Sequence, residues 1–163
     1  MHRLWPVLIL MTLPGWAAAG CFGAGQPLFH CTFKGGKSEV NICIQNDIVT
    51  YAYGAKGALP DMLLAQHAFD VDMHPWPGMG RYYWESMTLH NVSHSYGVSF
   101  SVDKLSPDAP VEAALRVYQG KKQLAELTCD RGSVFQPSFQ PLANQKSASG
   151  QCWNPQVSSW VFC

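Results

Sequence analysis

Residues 39–54 have the sequence EVNICIQNDIVTYAYG, which predicts two antiparallel strands joined by a tight turn at Asn46-Asp47. Alternation of apolar and polar residues is the period of a strand with one buried face, and turn residues between two such runs indicate a hairpin. Apolar or aromatic side chains recur at every second position: Val40, Ile42, Ile44, Val49, Tyr51 and Tyr53.

Similar strand-like segments lie on both sides of this hairpin. They are Leu28–Lys34, Met62–Gln66, Ala68–Met73, Arg81–His90, Ser95–Val102, Leu115–Tyr118 and Gln123–Cys129. Several short strands separated by turn signals are typical of antiparallel barrels and sandwiches. We therefore predict an all-β domain over residues 20–132, a small barrel or sandwich of hairpins cross-linked by disulfides. Residues 133–163 are predicted to be an irregular tail: a Gln/Ser/Pro-rich loop, then a Cys/Trp segment tied down by disulfide bonding.

The first 19 residues have the layout of a secretory signal peptide: a short basic start, an apolar core and small residues near a cleavage site. Cleavage after Ala19 would release a periplasmic or secreted protein. Cleavage before Cys21 would instead leave a lipidated cysteine, and so an anchor to the outer membrane. The apolar core of the leader is about ten residues, well below the roughly 20 that a membrane-spanning helix needs, and we expect no transmembrane segment.

Six cysteines follow the leader, and exported proteins retain disulfides. They are Cys21, Cys31, Cys43, Cys129, Cys152 and Cys163. Lipidation of Cys21 would leave an odd number, so parity favours the soluble form. Hairpin symmetry suggests the pairs Cys31–Cys43 and Cys152–Cys163, which leaves Cys21 for Cys129. This is one of 15 connectivities that six cysteines allow.

The net charge of the chain argues against a nucleic-acid partner. The chain has 11 Lys and Arg and 11 Asp and Glu, so without Arg3 of the leader it is weakly acidic. A nucleic-acid-binding protein usually has a basic face, and we predict no nucleic-acid partner.

The segment from His74 to Trp84 combines prolines, glycines, one arginine and four large aromatic residues. Trp, Tyr and Arg are enriched in interface hot spots, so this loop is the candidate site for a protein or a cell-wall glycan. Strand alternation favours the competing interpretation that Tyr82 and Trp84 point together into the core. The candidate binding residues are Trp76, Met79, Gly80, Arg81, Tyr82 and Tyr83.

Catalytic motifs are missing: there is no Gly-x-Ser-x-Gly, Ser-x-x-Lys or His-Glu-x-x-His pattern and no phosphate loop. Asp70 and Asp72 could share one strand face with Glu85 nearby, and His90 and His94 flank a tight turn. Such residues are usually solvated surface groups. We therefore predict a non-enzymatic protein with no catalytic residues, metal site or cofactor.

Two segments resemble the opening strands of the membrane-bound and periplasmic inhibitors of C-type lysozyme. They are Cys31 to Lys37 (CTFKGGK) and the pattern from Val40 to Gly54. The resemblance implies an envelope β-barrel and makes Gly80-Arg81-Tyr82-Tyr83 the counterpart of the loop that enters the lysozyme cleft. It covers about half of the chain after the leader. The C-terminal Cys-Trp tail has no counterpart, and residues 77–79 replace an expected serine.

These observations lead to three functional hypotheses. The first is an exported bacterial envelope binding protein, an inhibitor or immunity-type protein directed at a cell-wall hydrolase. The second is a structural or accessory envelope (lipo)protein without a soluble target. The third is an unrecognised hydrolase that uses Asp70, Asp72 or a histidine.

Overall fold

The computed structural model describes residues 21, 25–106, 108–135 and 137–163, so the predicted leader, residues 1–19, lies outside the described residues. The described chain is mostly antiparallel β-structure, with one short α-helix near the C-terminus. The strands are β1 (Gln26–Phe33), β2 (Ser38–Gln45), β3 (Ile48–Ala55), β4 (Met62–His67), β5 (Asp72–His74), β6 (Tyr82–Asn91), β7 (His94–Asp103), β8 (Glu112–Gln119), β9 (Lys122–Thr128), β10 (Gln151–Asn154) and β11 (Ser159–Phe162).

Strands β1 to β4 form the first sheet in sequence order, each antiparallel to the next. The predicted hairpin at residues 39–54 is confirmed as β2–β3, with Gln45 opposite Ile48 and Ile42 opposite Tyr51. Val40, Ile42 and Tyr51 are buried. The alternation in the sequence therefore marks the face of this sheet that lies in the core.

Strands β5 to β9 form the second sheet, also in sequence order. Its centre is the predicted β6–β7 hairpin, in which Asn91 pairs with His94. The strand predicted over Ala68–Met73 is wrong in its first half, because Ala68–Asp70 forms a 3-10 turn and β5 begins only at Asp72. That turn places the buried Ala68 in the core between the sheets.

The two sheets pack face to face around one hydrophobic core, which is the sandwich of the two predicted architectures. Tyr51 of the first sheet lies 5.4 Å, ring to ring, from Tyr96 of the second. Phe139, which is fully buried, contacts Phe29 of one sheet and Phe100 of the other. The core therefore includes a residue from the segment that was predicted to be an irregular tail.

The loop predicted after residue 133 is, in large part, helix α1 (Gln140–Ala148) followed by the β10–β11 hairpin. Helix α1 buries Leu142 and Ala143, and two apolar positions are too few to produce a clear helical period. Packing on the core, rather than an amphipathic pattern, stabilises it. The sequence does contain two local signals of the helix ends: Pro141 lies in the first turn, and Gly150 follows the last turn.

Three disulfides join all six cysteines, as their even number predicted, but two of the three proposed pairs are wrong. Cys152–Cys163 is confirmed, and it closes the β10–β11 hairpin. The other bonds are Cys21–Cys43 and Cys31–Cys129. The predicted Cys31–Cys43 and Cys21–Cys129 pairs are absent.

Strand register explains the error at Cys31. Cys31 lies opposite Val40, whereas Cys43 lies opposite Pro27. Opposed residues project to the same face and successive residues to opposite faces. Cys31 therefore shares the core face of Val40, and Cys43 projects from the other side of the sheet. From the core, Cys31 reaches Cys129, which follows β9, and so links the two sheets.

Asp130 reinforces this link between the sheets. Its carboxylate accepts hydrogen bonds from the backbone N–H groups of Gly35 and Gly36, at 2.9 and 2.7 Å, and from the hydroxyl of Thr32 at 2.8 Å. These donors stabilise the ionised carboxylate and lower the pKa of Asp130. The β1–β2 turn is therefore anchored next to the Cys31–Cys129 bond.

Candidate functional site

The loop between β5 and β6, together with the first two residues of β6, contains the candidate binding residues. Pro75 and Pro77 restrict the backbone at its start. Gly78 and Gly80 have φ values of 85° and 94°, a region that glycine adopts without strain. The indole N–H of Trp76 donates a hydrogen bond to the carbonyl of Met79 at 3.1 Å. The loop is thus closed on itself by a tryptophan.

Arg81 ties the loop to the end of β7. Its guanidinium donates to both carboxylate oxygens of Asp103, with Nε 3.0 Å from Oδ1. This pairing raises the pKa of Arg81 and lowers the pKa of Asp103 to about 2. The backbone of Lys104 also donates to the carbonyl of Arg81 at 3.1 Å. Arg81 therefore holds the loop in place within the chain.

Aromatic contacts connect the loop to the hydrophobic core. The Lys104 ammonium lies 4.3 Å from the centroid of the Trp76 ring, a cation–π geometry. Trp76 also packs edge-on against Tyr83 at 5.3 Å, and Tyr83 contacts Phe100 of the core. Trp76 and Tyr83 are thus supporting residues between the loop and the core.

Three apolar side chains project from this supported end of the β6–β7 hairpin. Met79 is 73% exposed, Leu105 74% and Tyr82 46%. We call Met79, Tyr82 and Leu105 the exposed tip. Of the six candidate residues only Met79 and Tyr82 belong to it, whereas Trp76, Gly80 and Arg81 form the loop and Tyr83 supports it from β6. Leu105 was missed, because no local pattern signals that the end of β7 lies beside this loop.

Tyr82 and Trp84 were predicted to share one face of the strand, which is confirmed, and to point into the core, which is wrong. The two side chains do share one face of β6, but Glu85, Met87 and Leu89 on the other face are the buried residues. Tyr82 and Trp84 therefore project outward, and Tyr83 projects toward the core. Burial raises the pKa of the Tyr83 phenol to about 12, and the neighbouring Glu85 adds to the effect.

The candidate carboxylates and histidines do not come together as one group. Asp72 and His90 are in contact, with 2.7 Å between Oδ2 and Nε2, on an exposed part of the sheet. Glu85 is buried on the opposite face, where it accepts a hydrogen bond from the backbone of Phe139 at 2.9 Å. His94 pairs with Asn91 and contacts Ser93, away from His90. Within the described ranges, three or more His, Cys, Asp or Glu side chains nowhere form a potential metal site.

Lys146 of helix α1 is the buried cation that sequence reasoning missed. Its side chain is almost fully buried, and Nζ donates to the carbonyl of Phe69 at 3.0 Å and to the side chain of Gln151 at 3.3 Å. Burial lowers the pKa of Lys146 to about 8, although Asp72 and Asp70 oppose the shift. The ammonium joins helix α1 to the turn that precedes β5.

Stability is expected to depend on the protonation of Lys146. Its pKa is lower in the folded protein than in the unfolded chain, so the unfolded state binds more protons between pH 8 and 10.5. The free energy of unfolding should therefore rise from pH 8 to 10, by up to about 2–3 kcal/mol. Urea titrations across this range measure it. Lys146→Met should abolish the rise, and an unchanged slope in that variant would contradict the assignment.

Above pH 10 the tyrosines reverse this trend. The pKa values of Tyr51 and Tyr83 are raised, mainly by burial. Their contribution to stability is complete below pH 10 and is lost as the pH rises toward their folded-state values. The combined contribution of Lys146, Tyr51 and Tyr83 to the free energy of unfolding is therefore expected to be greatest near pH 10.

Comparison with family models, curated proteins and solved structures finds no match. No helix in the part of the chain that the structure describes is long and apolar enough to cross a membrane.

Proposed function

We propose that this chain is an exported bacterial binding protein whose exposed tip docks onto a partner protein. The observation that carries the proposal is the contrast between a rigidly supported loop and the apolar side chains that it presents to solvent. Met79, Tyr82 and Leu105 are exposed at one end of the molecule, and Trp76 and Arg81 hold that end in place. A cell-wall hydrolase of the C-type lysozyme class is the proposed target.

Preorganisation favours binding by such a tip. Ordering an interface costs about 0.5–1.5 kcal/mol for each flexible side chain that becomes fixed. Here the backbone of the loop is already fixed by the bonds from Trp76 to Met79 and from Arg81 to Asp103. Binding by Met79 and Tyr82 then carries the cost of fixing their own side chains but little cost of ordering the loop, as expected for an inhibitor or immunity-type protein.

Export to an oxidising compartment is supported by the leader-like residues 1–19 and by the three disulfides. The sulfur of Cys21 is bonded to Cys43, and a lipid thioether would need the same sulfur. This chemistry favours cleavage after Ala19 and a periplasmic or secreted protein. The mass of the mature N-terminus tests it: a chain beginning at Gly20 is expected, and an acylated Cys21 would contradict it.

Met79→Asp is expected to weaken target binding by at least about thirtyfold, because truncation or charging of a hot spot costs ~2 kcal/mol or more. Tyr82→Ala should have an effect of similar size. Surface plasmon resonance and lysis assays against a panel of C-type lysozymes and other muralytic enzymes measure the loss.

Val92→Asp is the matched control. Val92 is fully exposed in the turn at the opposite end of the same hairpin. The ten residues of β6 separate it from the tip by about 30 Å. This variant should bind as the wild type does. Absence of binding to every enzyme of the panel would contradict the proposed target, and equal losses for Met79→Asp and Val92→Asp would contradict the proposed surface.

The Asp72–His90 contact favours the hydrolase hypothesis as the second candidate, since a carboxylate can orient and polarise a histidine base. Hydrolysis of cell-wall substrate that disappears in Asp72→Asn and persists in Asp70→Asn would support it. Retention of activity in both variants would exclude the carboxylate version.

A further inference from the structure

A groove of about 750 Å³ crosses the solvent-facing side of the second sheet, on strands β6 to β9. This volume lies within the range of about 300–1,000 Å³ that is typical of small-ligand sites. The groove lies outside the exposed tip, and none of Met79, Tyr82 or Leu105 lines it.

Side-chain size along the strands makes this face concave. Ser99 and Ser101 of β7 lie beside Ala114 of β8 and form a floor of small residues, because Ser99 is directly opposite Ala114. Trp84 of β6 stands opposite Ser101. Arg116, two residues beyond Ala114 on the same face, forms the other wall. The small side chains therefore form the bottom of a groove, which is bounded by the indole of Trp84 and the guanidinium of Arg116.

The indole of Trp84 is fixed on the side away from the groove. The His74 ring packs against it with 5.0 Å between centroids and an interplanar angle of 30°. His74 is itself held edge-on by Trp153 of the β10–β11 hairpin at 4.7 Å. The remaining surface of the half-buried indole lines the groove.

The polar groups of the groove are oriented and balanced in charge. Arg116 donates from Nη1 to the hydroxyl of Ser99 at 2.9 Å and from Nη2 to the Glu126 carboxylate at 3.0 Å. Glu112 and Arg131 also line the groove. Two acidic and two basic side chains leave no net charge, so this site provides no electrostatic selection for an ionic ligand.

We infer that this groove binds an uncharged oligosaccharide. A pyranose ring has an apolar C–H face that packs on an indole, and hydroxyls at its edge that pair with Ser, Arg and carboxylate groups. Trp84 provides the aromatic surface, and Ser99, Ser101 and the Arg116–Glu126 pair provide donors and acceptors around a trough of matching size. This inference is independent of the protein-binding tip.

Two variants test it with different physical effects. Trp84→Ala removes the stacking surface, and Ala114→Leu fills the floor without removing a polar group. Tyr118→Ala is the matched control, because Tyr118 lies on the same outward face of β8 but does not line the groove. Circular dichroism and thermal unfolding are used to check that each variant is folded.

Binding is measured by calorimetry and NMR titration with a β-1,4-linked N-acetylglucosamine tetramer, a cellulose-type glucose tetramer and a galacturonic acid tetramer. We expect a neutral tetramer to bind and to shift resonances of Ser99, Ser101 and Ala114. Trp84→Ala and Ala114→Leu should weaken binding at least about tenfold. Tyr118→Ala and Met79→Asp should leave it unchanged.

Three results would overturn the inference: no neutral tetramer binds at millimolar concentration, the acidic tetramer binds more tightly than both neutral ones, or Tyr118→Ala costs as much as Trp84→Ala. Because Met79→Asp lies outside the groove, loss of glycan binding and loss of protein binding can be distinguished.

Discussion

Replacement of Cys31 and Cys129 by alanine is expected to lower the free energy of unfolding by about 4–5 kcal/mol. The two cysteines are 98 residues apart in sequence, and the stabilisation from a disulfide grows with the loop that it closes in the unfolded chain, to ~4.7 kcal/mol for 100 residues. The bond also joins the two sheets across the core. Chemical denaturation of the double variant measures the effect.

The Cys152–Cys163 bond provides the control, because its cysteines are only 11 residues apart. The chain-entropy relation gives about 3 kcal/mol for a loop near this length. The free energy of unfolding should therefore fall less in the corresponding double alanine variant than in the variant without Cys31 and Cys129. Equal losses would contradict the loop-length argument.

Peptide mapping of the non-reduced protein tests the connectivity itself: a Cys31–Cys129 peptide is expected, and a Cys31–Cys43 peptide would refute it.

Phe139→Ala is expected to cost about 3–5 kcal/mol, as truncation of a fully buried phenylalanine does. The ring is fully buried between Phe29 of the first sheet and Phe100 of the second, at 6.4 and 5.3 Å. Among the described aromatic residues after residue 133, only Phe139 pairs with rings of both sheets. The variant should therefore loosen the core as well as helix α1.

Phe162→Ala is the matched control. Phe162 lies in the same C-terminal segment, but it is 74% exposed, and among the described aromatic rings it contacts only Phe69. Its truncation should cost less than ~1 kcal/mol. A loss below ~1 kcal/mol in Phe139→Ala as well would contradict the place of this ring in the core.

Strand positions could be predicted from the sequence because they depend on local signals. The alternation at residues 39–54 and at Tyr96–Val102 marks strands directly, and Asn46-Asp47 marks a turn. Helix α1 was missed because Leu142 and Ala143 are its main buried apolar residues. Its stability comes from packing against the sheets, which no local period reports.

The candidate site was predicted in outline only. The unusual composition of residues 74–84 located the loop, but alternation cannot say which face of β6 meets the other sheet. The structure turns Tyr83 inward and leaves Tyr82 and Trp84 outside. Leu105 joins the exposed tip, and Ser101 and Ala114 join Trp84 at the groove, only because β6, β7 and β8 are neighbours in the sheet.

Local signals in the sequence were enough for the all-β class, the order of the hairpins and an even set of cysteines, since these depend on residues close together along the chain. The partners of Cys31 and Cys43, the exposed tip, the burial of Lys146 and the groove beside Trp84 follow only from the folded arrangement of the two sheets. Each of these depends on which sheet faces meet, and so on contacts between residues far apart in sequence.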